Sequence, residues 1–268
     1  MELIEPIFKW LHIIAGIIWI GLLYFFNWIN GHVVATMDAD TKKKVVPELM
    51  PRTLYWFRWG AAFTWITGFV LLLVIYYHQG YLFDAGSPEN FDTSSKWGFP
   101  AYVMIALTFF AVFAYDALYQ SQIASNVRVV TVISFVVLGA IVFLMKDYAG
   151  FGYRGFNIHL GTLFGTNMAF NVWFRIWPAQ KKIITAIKNG EAPDGNLVAL
   201  AGLRSKHNTY MSVPLIWAMI NEHHSTVFTG AKFGISDQLN WLVLMAVVAL
   251  GWHIVWQLYK KSATIKGF

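Results

Sequence analysis

The sequence predicts an all-α polytopic integral membrane protein, and three observations carry that expectation. Hydrophobic residues make up 57% of the 268 residues and charged residues only 13%, against about 25% charge in a typical soluble domain. Mean hydropathy is +0.51. The apolar residues are also gathered into runs of about 20, the length a helix needs to cross the hydrocarbon core of a bilayer.

Seven such runs are readable, near 7–29, 54–77, 98–119, 125–145, 158–177, 208–228 and 239–259. The first contains FKWLHIIAGIIWIGLLYFFNWIN. It is long, has no small-residue cleavage site and is followed by more runs, so it is expected in the mature chain rather than as a signal peptide. The second follows the basic stretch around Lys42, Lys43 and Lys44. The third and fourth are parted only by the polar YQSQIASNVR, which predicts a helical hairpin. The fifth holds two asparagines one turn apart, Asn167 and Asn171. The sixth, NTYMSVPLIWAMINEHH, contains Pro214 and ends in polar residues. A span is still expected there, because buried membrane helices tolerate proline. The seventh ends at Lys260 and Lys261. Between the fifth and sixth, residues 178–189 set Ile183, Ile184 and Ile187 among lysines, the pattern of an interfacial helix on the cytoplasmic face.

Basic residues orient the chain. With the N-terminus outside and the C-terminus cytoplasmic, only Lys9, Lys96, Lys146, Arg154 and Lys232 of the 20 lysines and arginines fall outside, and cytoplasmic loops are the ones that collect positive charge. The acidic loop HQGYLFDAGSPENFDTSSK then also lies outside. The net charge of +6 is accounted for by this bias, so no nucleic-acid partner is expected. No internal repeat or soluble domain interrupts residues 1–268, which are expected to form one transmembrane helical bundle in contact with the lipid bilayer.

Cysteine is absent. That excludes disulfides, thiolate metal sites, iron–sulfur clusters and covalently attached c-type haem, which needs C-x-x-C-H. A redox cofactor in this chain therefore depends on other side chains, and eight histidines are present. His32 and His78 fall at loop edges, and His207 begins the sixth run. His12, His159, His223 and His224 are placed in the outer half of the membrane or at its rim, and His253 lies deeper, within the seventh run. An unpaired imidazole in hydrocarbon is costly, so each of these rings needs something to bind.

Imidazole is the commonest protein ligand for haem iron and also binds zinc and copper. A porphyrin is a flat plate and favours small residues beside its ligand. His12 has Ala15 and Gly16 one turn on, His159 is followed by Gly161 and Gly165, and His253 is preceded by Ala246 and Ala249. Small residues equally let membrane helices pack closely with no cofactor. The reading adopted is haem b, one or two per chain. His12 and His223 are the axial pair on the iron, with His159 and His253 as alternates; His253 serves a second haem or a proton relay. His223 and His224 point about 100° apart on a helix, so both cannot ligate along one axis. Copper held by the paired histidines is the other reading of the same residues. Asn167 and Asn171 share a helix face, as do Asn27 and Asn30. Buried amides often only join helices, but an amide can also read the edge of a polar heterocycle. Asp116 is read as snorkelling or pairing with Arg128.

Three stretches, WLHIIAGIIWIGLLYFFNWIN, NIHLGTLFGTNMAFNVWFRIWPAQKK and RSKHNTYMSVPLIWAMINEHH, in that order, resemble the membrane domain of the bacterial membrane-bound urate hydroxylases, the urate oxidase N-terminal family. The matching positions are His12, His159, Asn167, Asn171, His207, Asn208, His223 and His253. The resemblance implies a bacterial inner-membrane protein that oxidises urate to 5-hydroxyisourate. It also implies that electrons leave through a cytochrome c domain outside the cytoplasm. No C-x-x-C-H is present, so the expected electron acceptor is a separate cytochrome c or another subunit of a respiratory complex. On this reading Asn167 and Asn171 bond the amide edges of urate, and His207 is the candidate base for the attack of water. Two other functions fit the same residues: a non-catalytic haem or assembly subunit of a respiratory complex, and a copper-handling membrane protein.

Overall fold

The computed structural model describes residues 3–83, 96–221 and 233–267, and every regular element among them is helical. Helix α1 (Ile4–Tyr24) continues through a π-helical segment, Phe25–Asn30, into α2 (Gly31–Thr36). Helix α3 (Ala39–Leu71) likewise continues through a π-helical segment, Leu72–His78. Then come α4 (Phe99–Leu118) and α5 (Val127–Asp147). Helix α6 (Tyr153–Phe170) runs through a third π-helical segment, Asn171–Ile176, into α7 (Trp177–Asn189). Helices α8 (Gly195–Ile220) and α9 (Asn240–Ser262) complete the order.

Local chemistry sets the helix ends. Asp38 accepts from the Thr41 backbone amide at 2.9 Å and from its hydroxyl at 2.8 Å, capping the start of α3. Those two bonds hold its exposed carboxyl below the usual carboxylate range. Asn126 accepts from the Val129 amide and caps α5. Helix α7 stops at Gly190, whose φ of +78° only glycine adopts freely. The tight turn Tyr119–Ser125 between α4 and α5 fits the expected hairpin, and Tyr119 bonds Ser134 across it at 3.1 Å.

Among the described residues, five helical stretches are long and apolar enough to cross a membrane: Ile4–Thr36, Ala39–His78, Phe99–Leu118, Val127–Asp147 and Asp237–Ser262. The other two expected spans fall on α6 with its π segment and on α8, which are more polar. Burial explains why. No residue from Tyr153 to Phe170 is exposed, and α8 buries Arg204, Asn208, Thr209 and Ser212 completely. A helix shielded by protein need not be greasy, whereas α1 shows Ile7, Trp10, Ile13 and Ile17 on its surface, as a lipid-facing helix must.

The helices form two compact units. The first holds residues 1–70, 167–213 and 251–268. In it α1 lies close on α3: a side chain at Gly60 would bring its Cβ within 3.2 Å of the Trp19 amide nitrogen. Phe26 meets Phe57 edge-on at 5.3 Å. Helix α7 buries Ala179 and Ile183 with Ala201 of α8. Its span, Trp177–Asn189, matches the short helix read from the isoleucine–lysine pattern to within a residue.

The second unit holds residues 71–166 and 214–250. Leu72, Ile75, Tyr76 and Ile158 form its core cluster. Gly161 of α6 sits where a Cβ would come within 2.8 Å of the Ala218 Cβ, so only glycine permits this approach of α6 to α8. Beside it the Asn157 side-chain amide donates to the Ala218 carbonyl at 3.1 Å. Trp241 of α9 packs on Phe143 of α5 at 5.6 Å.

Candidate functional site

The chemistry-bearing residues of the first unit gather along one face of α8. Arg204, Ser205, Asn208, Thr209 and Ser212 recur at helical spacing, and all but Ser205 are 0% exposed. Helix α1 and its π segment meet this face through two polar contacts. Tyr24 and Ser212 share a hydroxyl–hydroxyl bond of 3.0 Å, and the Asn27 amide donates to Ser205 at 2.8 Å. Tyr259 of α9 donates to the Asn27 carbonyl oxygen at 2.9 Å. Asn27 is thereby fully used, with its amide also reaching the Leu23 carbonyl at 2.9 Å. Of the two roles the sequence leaves open for Asn27 and Asn30, joining helices fits these contacts; Asn30 in turn donates to the Met50 sulfur at 3.5 Å.

The contribution of α6 is different. Asn171 opens the third π segment and donates to the Asn208 side-chain oxygen at 2.8 Å, while Asn208 donates to the Met168 carbonyl at 3.0 Å. Asn167, one turn before Asn171, is 5% exposed, and its Oδ1 has no hydrogen-bond partner among the described residues. Interhelical hydrogen bonds in membranes contribute about 0.6 kcal/mol on average, with about 1.7 at most. Leaving one buried acceptor unmade costs about 1–3 kcal/mol. The Asn167 oxygen is thus a net cost that helix packing alone does not offset. π-Helical segments are rare and frequently mark functional sites, and here one sets Asn171 against α8.

The sequence reading placed Asn167 and Asn171 on one face; it did not see that Asn208 and Arg204 stand on the facing helix. Arg204 was counted there as an ordinary cytoplasmic cation. Its side chain is instead completely buried, and it acts electrostatically on His207 together with Lys206. The signal was present in the 204, 208, 212 spacing, which carries polar residues along one stripe of α8.

His12, the other anchor of the first unit, binds α3. Thr67 donates its own hydroxyl proton to the Phe63 carbonyl at 2.6 Å, so its oxygen accepts from His12 Nδ1 at 3.1 Å. That fixes the proton on Nδ1 and leaves the lone pair on Nε2. Metal-binding histidines commonly donate their other nitrogen in this way. The ring lies across Gly68, where a Cβ would come within 2.9 Å of Cε1. Gly68→Ala is therefore expected to displace the His12 ring. The check is the accessibility of His12 to a histidine-modifying reagent, which should rise in the variant and stay low in the parent.

In the second unit His159 is 0% exposed and doubly bonded. Its Nδ1 donates to the Gly155 carbonyl at 2.7 Å, so its Nε2 accepts from the Tyr77 hydroxyl at 2.9 Å. Phe151 lies 5.0 Å from the ring. Tyr77, in the second π segment, is a partner that sequence reading missed. His253 is on the exposed face of α9, bonded to Gln257 at 3.1 Å and beside Trp256. The small residues Ala246 and Ala249 are exposed on the same helix. His32 bonds Ser262 at 3.3 Å. Asp116 is buried and accepts from Gln120 at 2.7 Å. His223 and His224 lie outside the described residues.

The paired histidines of the copper reading, His223 and His224, fall outside the described residues. Among the described residues there is no group of three or more His, Cys, Asp and Glu that could hold a metal ion. The donor set at His12, one imidazole with an oriented lone pair and a glycine beneath the ring, fits a haem iron. Comparison with curated proteins and with solved structures found no match. A family model described as urate oxidase N-terminal matches residues 1–266. A match of that length takes in α1 with His12, both asparagines of the α6 seam and the buried polar face of α8, and the chain belongs to the urate oxidase N-terminal family.

Proposed function

We propose that this protein is a membrane-bound urate hydroxylase that uses haem b and passes electrons to a cytochrome c. Family membership points to a urate-related oxidoreductase. The observation that carries the reading is the buried amide seam, in which Asn171 and Asn208 are locked together while the Asn167 oxygen lacks a partner among the described residues. Urate is planar and edged by lactam N–H and C=O groups, and a side-chain amide offers one acceptor and two donors to such an edge. Asn167 accepts from a ring N–H, and Asn171 and Asn208 hold the adjoining edge.

The reaction is urate plus water giving 5-hydroxyisourate, two electrons and two protons. His207, one residue before Asn208 on α8, takes a proton from the attacking water. His12 would hold haem through Nε2, and haem, when bound, would supply a one-electron acceptor. His223, the other imidazole the sequence offers for iron, lies outside the described residues. His159 keeps its lone pair for Tyr77 and His253 faces outward, so neither is assigned the iron. Helices α6 and α8 complete seven spans, with the N-terminus outside a bacterial inner membrane. Support for that count is the burial of α6 and of the polar face of α8, and support for the orientation is the distribution of lysine and arginine.

Purified protein assayed with cytochrome c as acceptor tests this. The expected result is a b-type haem spectrum together with urate-dependent cytochrome reduction. Haem without urate oxidation would instead favour a non-catalytic respiratory subunit, and copper without haem a copper-handling protein.

A further inference from the structure

Arg58 is the last charged residue of α3. Neither α3 beyond Glu48 nor the run from Tyr153 to Gly190 holds an aspartate or glutamate. Arg52 is neutralised by Glu48 at 2.5 Å, but the Arg58 guanidinium faces aromatic rings. It lies 3.8 Å from the ring centre of Trp177, 5.6 Å from that of Trp173 and 5.9 Å from that of Tyr55. The Trp173 indole donates to the Arg58 carbonyl at 3.2 Å and fixes this part of α3 against the third π segment. Ring faces attract the charge but offer no oxygen to the guanidinium donors. Its buried Nε has no hydrogen-bond partner among the described residues. Lys181, one turn past Trp177 on α7, adds an exposed second cation.

An apolar stripe starts at the same place. Tyr55, Trp59 and Phe63 stand four residues apart on α3, and all three are exposed. Their ring centres follow one another at 6.4 and 5.8 Å. From Trp59 to Tyr77 the chain carries no charge, so the stripe leads from the cation into hydrocarbon. An anion with an apolar tail matches both halves, since phosphate oxygens suit guanidinium and ammonium donors and acyl chains suit exposed rings. We propose that Arg58 and Lys181 bind the phosphate of an anionic glycerophospholipid whose acyl chains lie along Tyr55, Trp59 and Phe63. This site lies within the first unit and does not depend on the urate reading.

The test titrates full-length protein in detergent micelles with phosphatidylglycerol or phosphatidylcholine and reads the first lipid bound by native mass spectrometry. Wild type is expected to bind phosphatidylglycerol at least about fivefold more tightly than phosphatidylcholine, the worth of one cation beside an anionic headgroup. Arg58→Gln is expected to weaken phosphatidylglycerol binding about fivefold or more and to leave phosphatidylcholine binding within about twofold. Lys181→Gln, at an exposed position, should weaken it about two- to fivefold. Arg52→Gln removes the same unit of charge from α3, but one already paired with Glu48, and should leave the affinity within about twofold. Equal losses in Arg52→Gln and Arg58→Gln would mean a diffuse attraction to positive charge and overturn the site. If Arg58→Gln fails to fold, the same comparison is made between Arg52→Gln and Lys181→Gln. Equal affinity of wild type for the two lipids overturns the proposal without any variant. Displacement of phosphatidylglycerol by inorganic phosphate would assign the cations to a free anion and overturn it as well.

Discussion

If His12 holds haem as proposed, His12→Ala is expected to yield a folded protein without it. The ring lies against Gly68 with its Nδ1 bonded to Thr67, and alanine supplies no ligand in its place. Removing a ligand outright is more severe than removing the group that orients it. Thr67→Val keeps the imidazole but deletes the acceptor for Nδ1, 3.1 Å away. Changes to such outer partners commonly cost about 10- to 100-fold in metal affinity. Haem stoichiometry measured on monodisperse protein should therefore fall in the order wild type, Thr67→Val, His12→Ala. Added imidazole should restore part of the spectrum to His12→Ala, since it fills the vacated space with the same donor. Full haem content in His12→Ala would move the iron to another histidine.

The second large effect concerns the seam. In Asn208→Leu the Asn171 amide loses its acceptor at 2.8 Å, and an orphaned buried polar group costs about 1–3 kcal/mol. Thermal unfolding in detergent should show that loss. Replacing both partners by apolar groups removes the orphan, so Asn171→Leu with Asn208→Leu should recover most of the stability. If the pair were only a helix fastener, activity would return with stability. A seam that holds substrate behaves in the opposite way: the double variant folds well, yet its kcat/KM for urate falls by at least about tenfold, the worth of a lost hydrogen bond to substrate. Activity restored together with stability would reduce the seam to a structural joint.

What was legible in the sequence, and what was not, follows from the physics of each helix. Helices that face lipid must be apolar along most of their length, so α1, α3, α4, α5 and α9 could be read as runs. Helix α6 and one face of α8 are buried, and burial permits the asparagines, threonines and arginine that blur a run. The two candidate substrate asparagines could be placed on one face because that needs only helical periodicity. Their facing partner could not, because Asn208 lies 37 residues from Asn171 and the pairing depends on how α6 meets α8. Tyr77 and His159 are 82 residues apart, and Thr67 and His12 are 55 apart, for the same reason. Arg204 was misjudged for a different reason. Counting cations by loop assigns a residue to a side of the membrane and ignores its helical phase, and it is phase that turns Arg204 inward.

Anaerobic mixing of the oxidised protein with urate, followed by absorbance, probes the haem and the seam together. The account predicts that urate disappears as the b-type haem is reduced, with two electrons released per urate and 5-hydroxyisourate formed without oxygen. A haem that stays oxidised while urate remains intact, in protein whose haem dithionite readily reduces, would contradict it.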